Sequence, residues 1–144
     1  MQDPLASWLI SKSFADFAYC ASSVEKAYET AVKLAMESSK AYEVAEFIAF
    51  KNDLYEATDL HAILSKQSNE SKEKLRVSFL EYDDMATERT LNIKPGKTGA
   101  IFVDPLQAGQ GVGCASAKNF LQSLRDTCDK AKALLVFDEV YNYD

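Results

Sequence analysis

Three places in this sequence set reactive residue types beside segments that could position them. Asp138 and Glu139 follow the apolar run "LLVF", Asp104 follows "AIFV", and Ser22 and Ser23 stand just before a stretch with helical spacing. A buried carboxylate at the end of a strand can hold a cationic or protonated nitrogen, because the opposite charge favours its ionised form. Small hydroxyl residues at a helix start present unpaired amides and the positive end of the helix dipole to an anion such as phosphate. The plainer alternative stays open: Ser22 or Ser23 only caps the helix, and the acids sit in solvated loops.

The elements that must do the positioning follow from apolar period. Leu5, Trp8 and Leu9 suggest a short opening helix, and "FAYC" (17–20) reads as a short strand closed by Ala21-Ser22-Ser23. Val24, Ala27, Tyr28, Ala31, Leu34 and Ala35 recur at helical spacing and predict an amphipathic helix over 24–39. "EFIAF" (46–50) reads as a strand, a looser helix runs from about Leu54 to Ser65, and "NESKEK" (69–74) is a solvated connection. "LRVSFLEY" (75–82) alternates as a strand does, and "KPGKTG" is a turn on composition. "AIFVDP" (100–105) is a continuous apolar strand closed by proline, and "ALLVFDEV" is the last strand. Between them Ser116 can cap a helix that buries Phe120, Leu121, Leu124, Cys128 and Ala131. Strand alternating with helix, and strands apolar on both faces, predict an α/β domain with a mostly parallel sheet of about five strands flanked by helices. Ligands of such sheets bind beyond the carboxyl ends of the strands, where all three candidate places fall.

Composition narrows the partners. The 144 residues are one domain's worth, and the net charge of −6 argues against nucleic acid or an anionic membrane. No apolar run reaches the roughly 18 residues of a spanning helix. "MQDPLASWLISKSF" meets an acid before any base and lacks an apolar core, so it does not read as a signal or transit peptide. Cys20, Cys114 and Cys128 are odd in number, widely spaced and free of any CxxC pair, which points to reduced, buried thiols. The single histidine, His61, argues against a histidine-based metal site. Two phosphate-binding motifs fail on inspection. "GKT" (96–98) has Leu91 where a P-loop needs glycine and leads into a strand rather than a helix. "GQGVGC" (109–114) has Cys114 where the dinucleotide fingerprint needs glycine or alanine.

"SFADFAYCASSVEKAYETAVKLA", "FIAFKNDLYEAT", "FLEY", "AIFVDPLQ" and "FLQSLRDTCDKAKALLVFDEV" succeed one another in an order that resembles the class III pyridoxal-phosphate aminotransferases. Within that class the likeness is strongest to the acetylornithine aminotransferases, the plant ones in particular. It covers nearly all of this chain but only about a third of a family member. The resemblance implies a partial large domain of the fold type I pyridoxal-phosphate transferases over 1–144, with no second domain. The implied activity is amino-group transfer between acetylornithine and 2-oxoglutarate, a step of arginine biosynthesis.

Site roles come with the resemblance. Asp138 matches the aspartate that pairs with the cofactor's protonated ring nitrogen, and Val140 the residue packed on the ring face. Ser22, Ser23 and Val24 stand around the phosphate, with Ser23 in place of a glycine and Val24 in place of a hydroxyl or small residue. A donor lost to a charged phosphate costs about 1.5–3 kcal/mol. An extra residue near Ala27-Tyr28 is expected to rotate the start of the helix. Leu54 replaces a ring-stacking aromatic, for which the adjacent Tyr55 could substitute. Asp104 replaces a glutamate, Gln107 is retained, "AGQG" (108–111) lacks an acid, and Tyr141 stands for a glutamine that supports the ring hydroxyl. The family's covalent lysine lies beyond the Asp138 segment, and neither Lys51 nor Lys132 is placed to replace it. The expectation is therefore a truncated, diverged relative that is inactive alone and binds pyridoxal phosphate weakly or not at all. The alternative is a non-catalytic relative acting as a protein-interaction or regulatory partner, whether of a full-length aminotransferase subunit, of a second copy of this chain or in an unrelated interaction. The resemblance implies a mitochondrion or chloroplast; without a visible transit peptide the cytosol stays open.

Overall fold

The computed structural model describes residues 3–50, 59–71, 73–80, 92–106 and 114–140. Helix α1 (Pro4–Lys12) opens the chain, with Asp3 accepting from the Leu5 amide at 2.8 Å and Pro4 in the first turn. Of its residues only Ala6 is buried; Trp8 and Leu9 face outward. "FAYC" is not a strand. Among the described residues it pairs with no strand, and Phe17 and Tyr19 are exposed.

Helix α2 (Val24–Ser38) starts where expected, and its buried stripe matches the expected one only in part. Tyr28, Val32 and Ala35 face inward, while Val24, Ala27 and Leu34 face out and Ala31 is half-buried. Spacing alone allowed either neighbouring face, since both repeat at three and four residues. The inward turn of Tyr28 matters for the site.

Strand β1 (Ala45–Phe50) follows, then helix α3 (Asp59–Glu70), strand β2 (Leu75–Leu80) and strand β3 (Thr98–Val103). Helix α3 runs five residues past Ser65, the expected end. Gly96 takes φ of 73° in the turn before β3, a conformation glycine adopts without strain. Helix α4 (Cys114–Ala131) begins two residues before Ser116, and strand β4 (Leu134–Phe137) closes the described chain.

The four described strands form one parallel sheet in the order β2-β1-β3-β4. The chain moves from β1 outward to β2, then returns to the other side of β1 as β3. That reversal makes the carboxyl edge between β1 and β3 a switch point, the usual ligand crevice of such sheets. Alternation along β1 and β3 divides the core in two. Phe47, Ala49, Ala100 and Phe102 pack against Tyr28, Val32 and Ala35 of α2 and Leu60 and Leu64 of α3. Ile48, Phe50, Ile101 and Val103 pack against Leu124, Cys128 and Ala131 of α4.

Helix α2 runs against the strand direction. A Cβ at Gly99, near the start of β3, would come within 2.8 Å of the Ser39 hydroxyl at the helix end. Tyr28, in the second turn, reaches the residue just after β4. The amino end of α2 therefore projects past the carboxyl edge of the sheet.

Candidate functional site

Asp138 is fixed by backbone before its side chain is used. Its amide donates to the Val103 carbonyl at 2.9 Å, extending the β3–β4 ladder one residue beyond β4. The chain then turns, and the Val140 amide donates back to Asp138 Oδ1 at 3.2 Å. The carboxylate faces α2. There the Tyr28 hydroxyl donates to both oxygens, at 3.0 Å to Oδ1 and 2.9 Å to Oδ2.

Two further ionisable groups share this edge. Asp104 follows β3 and accepts from the Leu106 amide at 2.9 Å. His61, on α3, donates from Nε2 to the Phe50 carbonyl at 3.1 Å, at the carboxyl end of β1. That bond sets the tautomer, and the ring packs on Phe79 with centroids 4.8 Å apart. Burial holds the Asp138 carboxyl above the usual carboxylate range. The Val140 amide and the Tyr28 hydroxyl pull it down, the charge of Asp104 pushes it up, and His61 pulls it down.

The phosphate candidates lie on the same edge. Ser23 caps α2, with its hydroxyl accepting from the Lys26 amide at 3.2 Å. Its φ of −159° is extended backbone, so serine occupies this position without strain. Ser22, Ser23 and Val24 are all exposed. Tyr28 follows Ser23 by five positions, about 7.5 Å along the helix axis. Val140 is half-buried and packs against the α2 side of the core. The geometry thus brings Asp138, Val140 and the start of α2 to one edge. Tyr55, Tyr141, Leu54, Gln107 and "AGQG" lie outside the described residues.

Sequence reasoning missed Tyr28 and His61 as site residues. The sequence marks Tyr28 as one of six apolar positions and as a neighbour of an extra residue, and nothing local marks its contact with a residue 110 positions away. His61 was weighed only as a metal ligand, and among the described residues no cluster could hold a metal ion. Cys128 is fully buried in the second core, and burial pushes its thiol up to about 11, so it is no nucleophile. Lys74, Lys97 and Lys132 precede β2, β3 and β4, at the opposite end of the sheet from Asp138.

The sequence model of one protein family, aminotransferase class-III, matches residues 2–142. The chain belongs to that family. Among class-III relatives, the mitochondrial acetylornithine aminotransferase of Alnus glutinosa is 36% identical over 149 residues, covering 96% of this chain and 33% of the relative. Acetylornithine aminotransferase of Vibrio cholerae is 34% identical over 143 residues, covering 94% and 35%. Succinylornithine transaminase of Salmonella newport is 32% identical over 143 residues, covering 94% and 34%. The chain spans about a third of the length of these relatives. No solved structure matches it. Among the described residues no helix is long and apolar enough to cross a membrane.

A class-III aminotransferase of this fold uses pyridoxal phosphate, and the donor set of the edge fits it. The cofactor is cationic at its ring nitrogen and anionic at its phosphate. Asp138 offers a fixed acceptor to the first, and the start of α2 offers amides and a positive dipole to the second.

Proposed function

We propose that this chain forms the cofactor-holding part of the large domain of an acetylornithine aminotransferase-like protein. The observation that carries this reading is Asp138, anchored to β3 and aimed at the helix whose amino end projects past the same edge. Asp138 would receive the protonated ring nitrogen, Ser22, Ser23 and the amides opening α2 the phosphate, and Val140 one side of the ring. Tyr55 and Tyr141 complete the proposed set. When bound, pyridoxal phosphate supplies an electron sink that stabilises negative charge at the carbon bearing the transferred amine. This chain's part is to hold the cofactor and keep its nitrogen protonated, because a carboxylate beside a pyridinium favours the charged pair.

The relatives named for acetylornithine and succinylornithine support an acylated ornithine as amino donor. The described lysines that precede β2, β3 and β4 lie away from Asp138. We therefore propose that these 144 residues alone bind the cofactor without a covalent bond and do not transaminate. The test is titration of the purified chain with pyridoxal phosphate, followed by borohydride reduction and mass analysis. Saturable binding that leaves no reduced adduct supports the reading. Lysine-dependent turnover by the 144 residues would overturn it.

A specific observation favours a second element. Leu5, Trp8, Leu9, Phe14, Phe17 and Tyr19 are exposed along the first twenty residues. Such a run is large for a free surface and suits contact with another chain. The partner proposed is a full-length aminotransferase subunit or a second copy of this chain, and co-purification with such a subunit tests it.

A further inference from the structure

We infer that Tyr28 is a gate on Asp138, competing for the carboxylate with the cofactor's ring nitrogen. The inference rests on the proposed cofactor role of this edge. Its basis is the geometry of one hydroxyl. At 2.9 and 3.0 Å from the two oxygens, the Tyr28 oxygen lies nearly equidistant between them. A single donor so placed takes the inner lone pairs of both oxygens together. A ring N–H that would bond between the two oxygens competes for that same place. The Val140 amide already takes a further lone pair of Oδ1, which narrows the remaining approaches.

The phenol is well held where it is. Tyr28 is 6% exposed, and it shares the inward stripe of α2 with Val32 and Ala35. It belongs to the core that includes Phe47 and Phe102. A protonated ring nitrogen makes a charge-assisted bond and the neutral hydroxyl a weaker one, so the exchange favours the cofactor. It must still break the Tyr28 contact first. Tyr28 therefore lowers cofactor affinity while keeping the acid hydrogen-bonded when no cofactor is present. The groups that face Asp138 besides Tyr28 are Asp104, His61 and the Val140 amide, and none of these is altered by the test below.

The experiment measures pyridoxal phosphate affinity of the 144-residue chain in four forms: wild type, Tyr28→Phe, Asp138→Asn and the double variant. Tyr28→Phe removes only the hydroxyl and should tighten binding about tenfold, the scale of one hydrogen bond to a charged group. Asp138→Asn should weaken binding, and in its background Tyr28→Phe should bring little gain, because the contested acceptor is gone. A readout without cofactor accompanies it: the carboxyl carbon resonance of Asp138 should titrate at higher pH in Tyr28→Phe, which loses a donor to the ionised form. Equal or weaker binding by Tyr28→Phe, with binding still dependent on Asp138, overturns the gate and leaves the cofactor role standing. An unchanged Asp138 titration also overturns the gate. Absence of any Asp138-dependent binding in all forms overturns the cofactor role and the gate with it.

Discussion

Strands β3 and β4 read almost alike, "AIFVD" against "LLVFD", yet they meet different fates. All six residues of β3 are buried, between β1 and β4 and between α2 and α4. Among the described residues β4 lies at the sheet edge, with Leu134 37% and Phe137 45% exposed. The acids that end them differ in the opposite sense. Asp104, after the buried strand, closes a local turn on Leu106, while Asp138, after the edge strand, is drawn across to α2. The strand that contributes least to the core thus carries the residue most relevant to chemistry. Position in the sheet, not local sequence, divides the labour: the centre holds the fold, and the edge reaches the crevice.

The sharpest way to break this contrast is to truncate both phenylalanines. Phe102→Ala should destabilise by about 3–5 kcal/mol, since it empties a packed site against Phe47, whose ring lies 5.9 Å away. Phe137→Ala should cost about 1 kcal/mol or less, because water already reaches nearly half of the side chain. Urea denaturation of the two variants decides it. Equal losses would show that β4 is as central to the fold as β3.

The contrast between the acids comes next in size. Asp138→Asn should weaken pyridoxal phosphate binding tenfold or more, the loss of one hydrogen bond between charged groups. Asp104→Asn should change it less than about threefold, since the Asp104 carboxylate accepts from the Leu106 amide and its charge disfavours an ionised Asp138. Direct titration with the cofactor measures both. A reversed order would move the cofactor's nitrogen from β4 to β3.

How much of this was legible depended on how local each cause was. The start of α2 was legible because Ser23 caps it and the apolar spacing lies within one segment. The buried face of α2 was not, because Val32 and Leu34 are equally apolar and only the sheet chooses between them. "FAYC" has strand composition, but a strand needs a partner, and among the described residues it has none. Helix α4 started two residues early because Ser116 is a favoured cap but not an obligatory one. Asp138 was legible as a strand-end acid and by resemblance. Tyr28 was not, since the same spacing that marks it as core gives no sign that its hydroxyl finds a carboxylate.

The edge itself offers a smaller test. Leu134→Lys places a charge on the exposed start of β4, a feature that natural edge strands use against pairing with other chains. It should reduce self-association of the chain while changing stability by about 0.5 kcal/mol or less. Light scattering across a dilution series reads the first effect and urea denaturation the second. Self-association that persists unchanged would confine the contact to the exposed residues of the first twenty.

The smallest expected effect is a pH dependence generated by Asp138. Burial holds the Asp138 carboxyl above its ordinary range in the folded protein. Between the ordinary carboxylate value and the raised folded one, the folded state binds more protons than the unfolded state, so stability falls as pH rises. Asp138 thus contributes stability that is fully present below the unfolded value and lost as the pH rises through the folded one. Asp138→Asn removes this titration while keeping an acceptor for the Tyr28 hydroxyl. Relative to wild type, the variant should gain stability as the pH climbs from acid toward neutral. Urea midpoints of both proteins across that range measure the difference. A wild-type advantage that grows with pH would mean the folded carboxyl lies below its ordinary range, with Tyr28, Val140 and His61 outweighing burial. In that case the edge acid would be held as a permanent carboxylate, ready for a cation without first losing a proton.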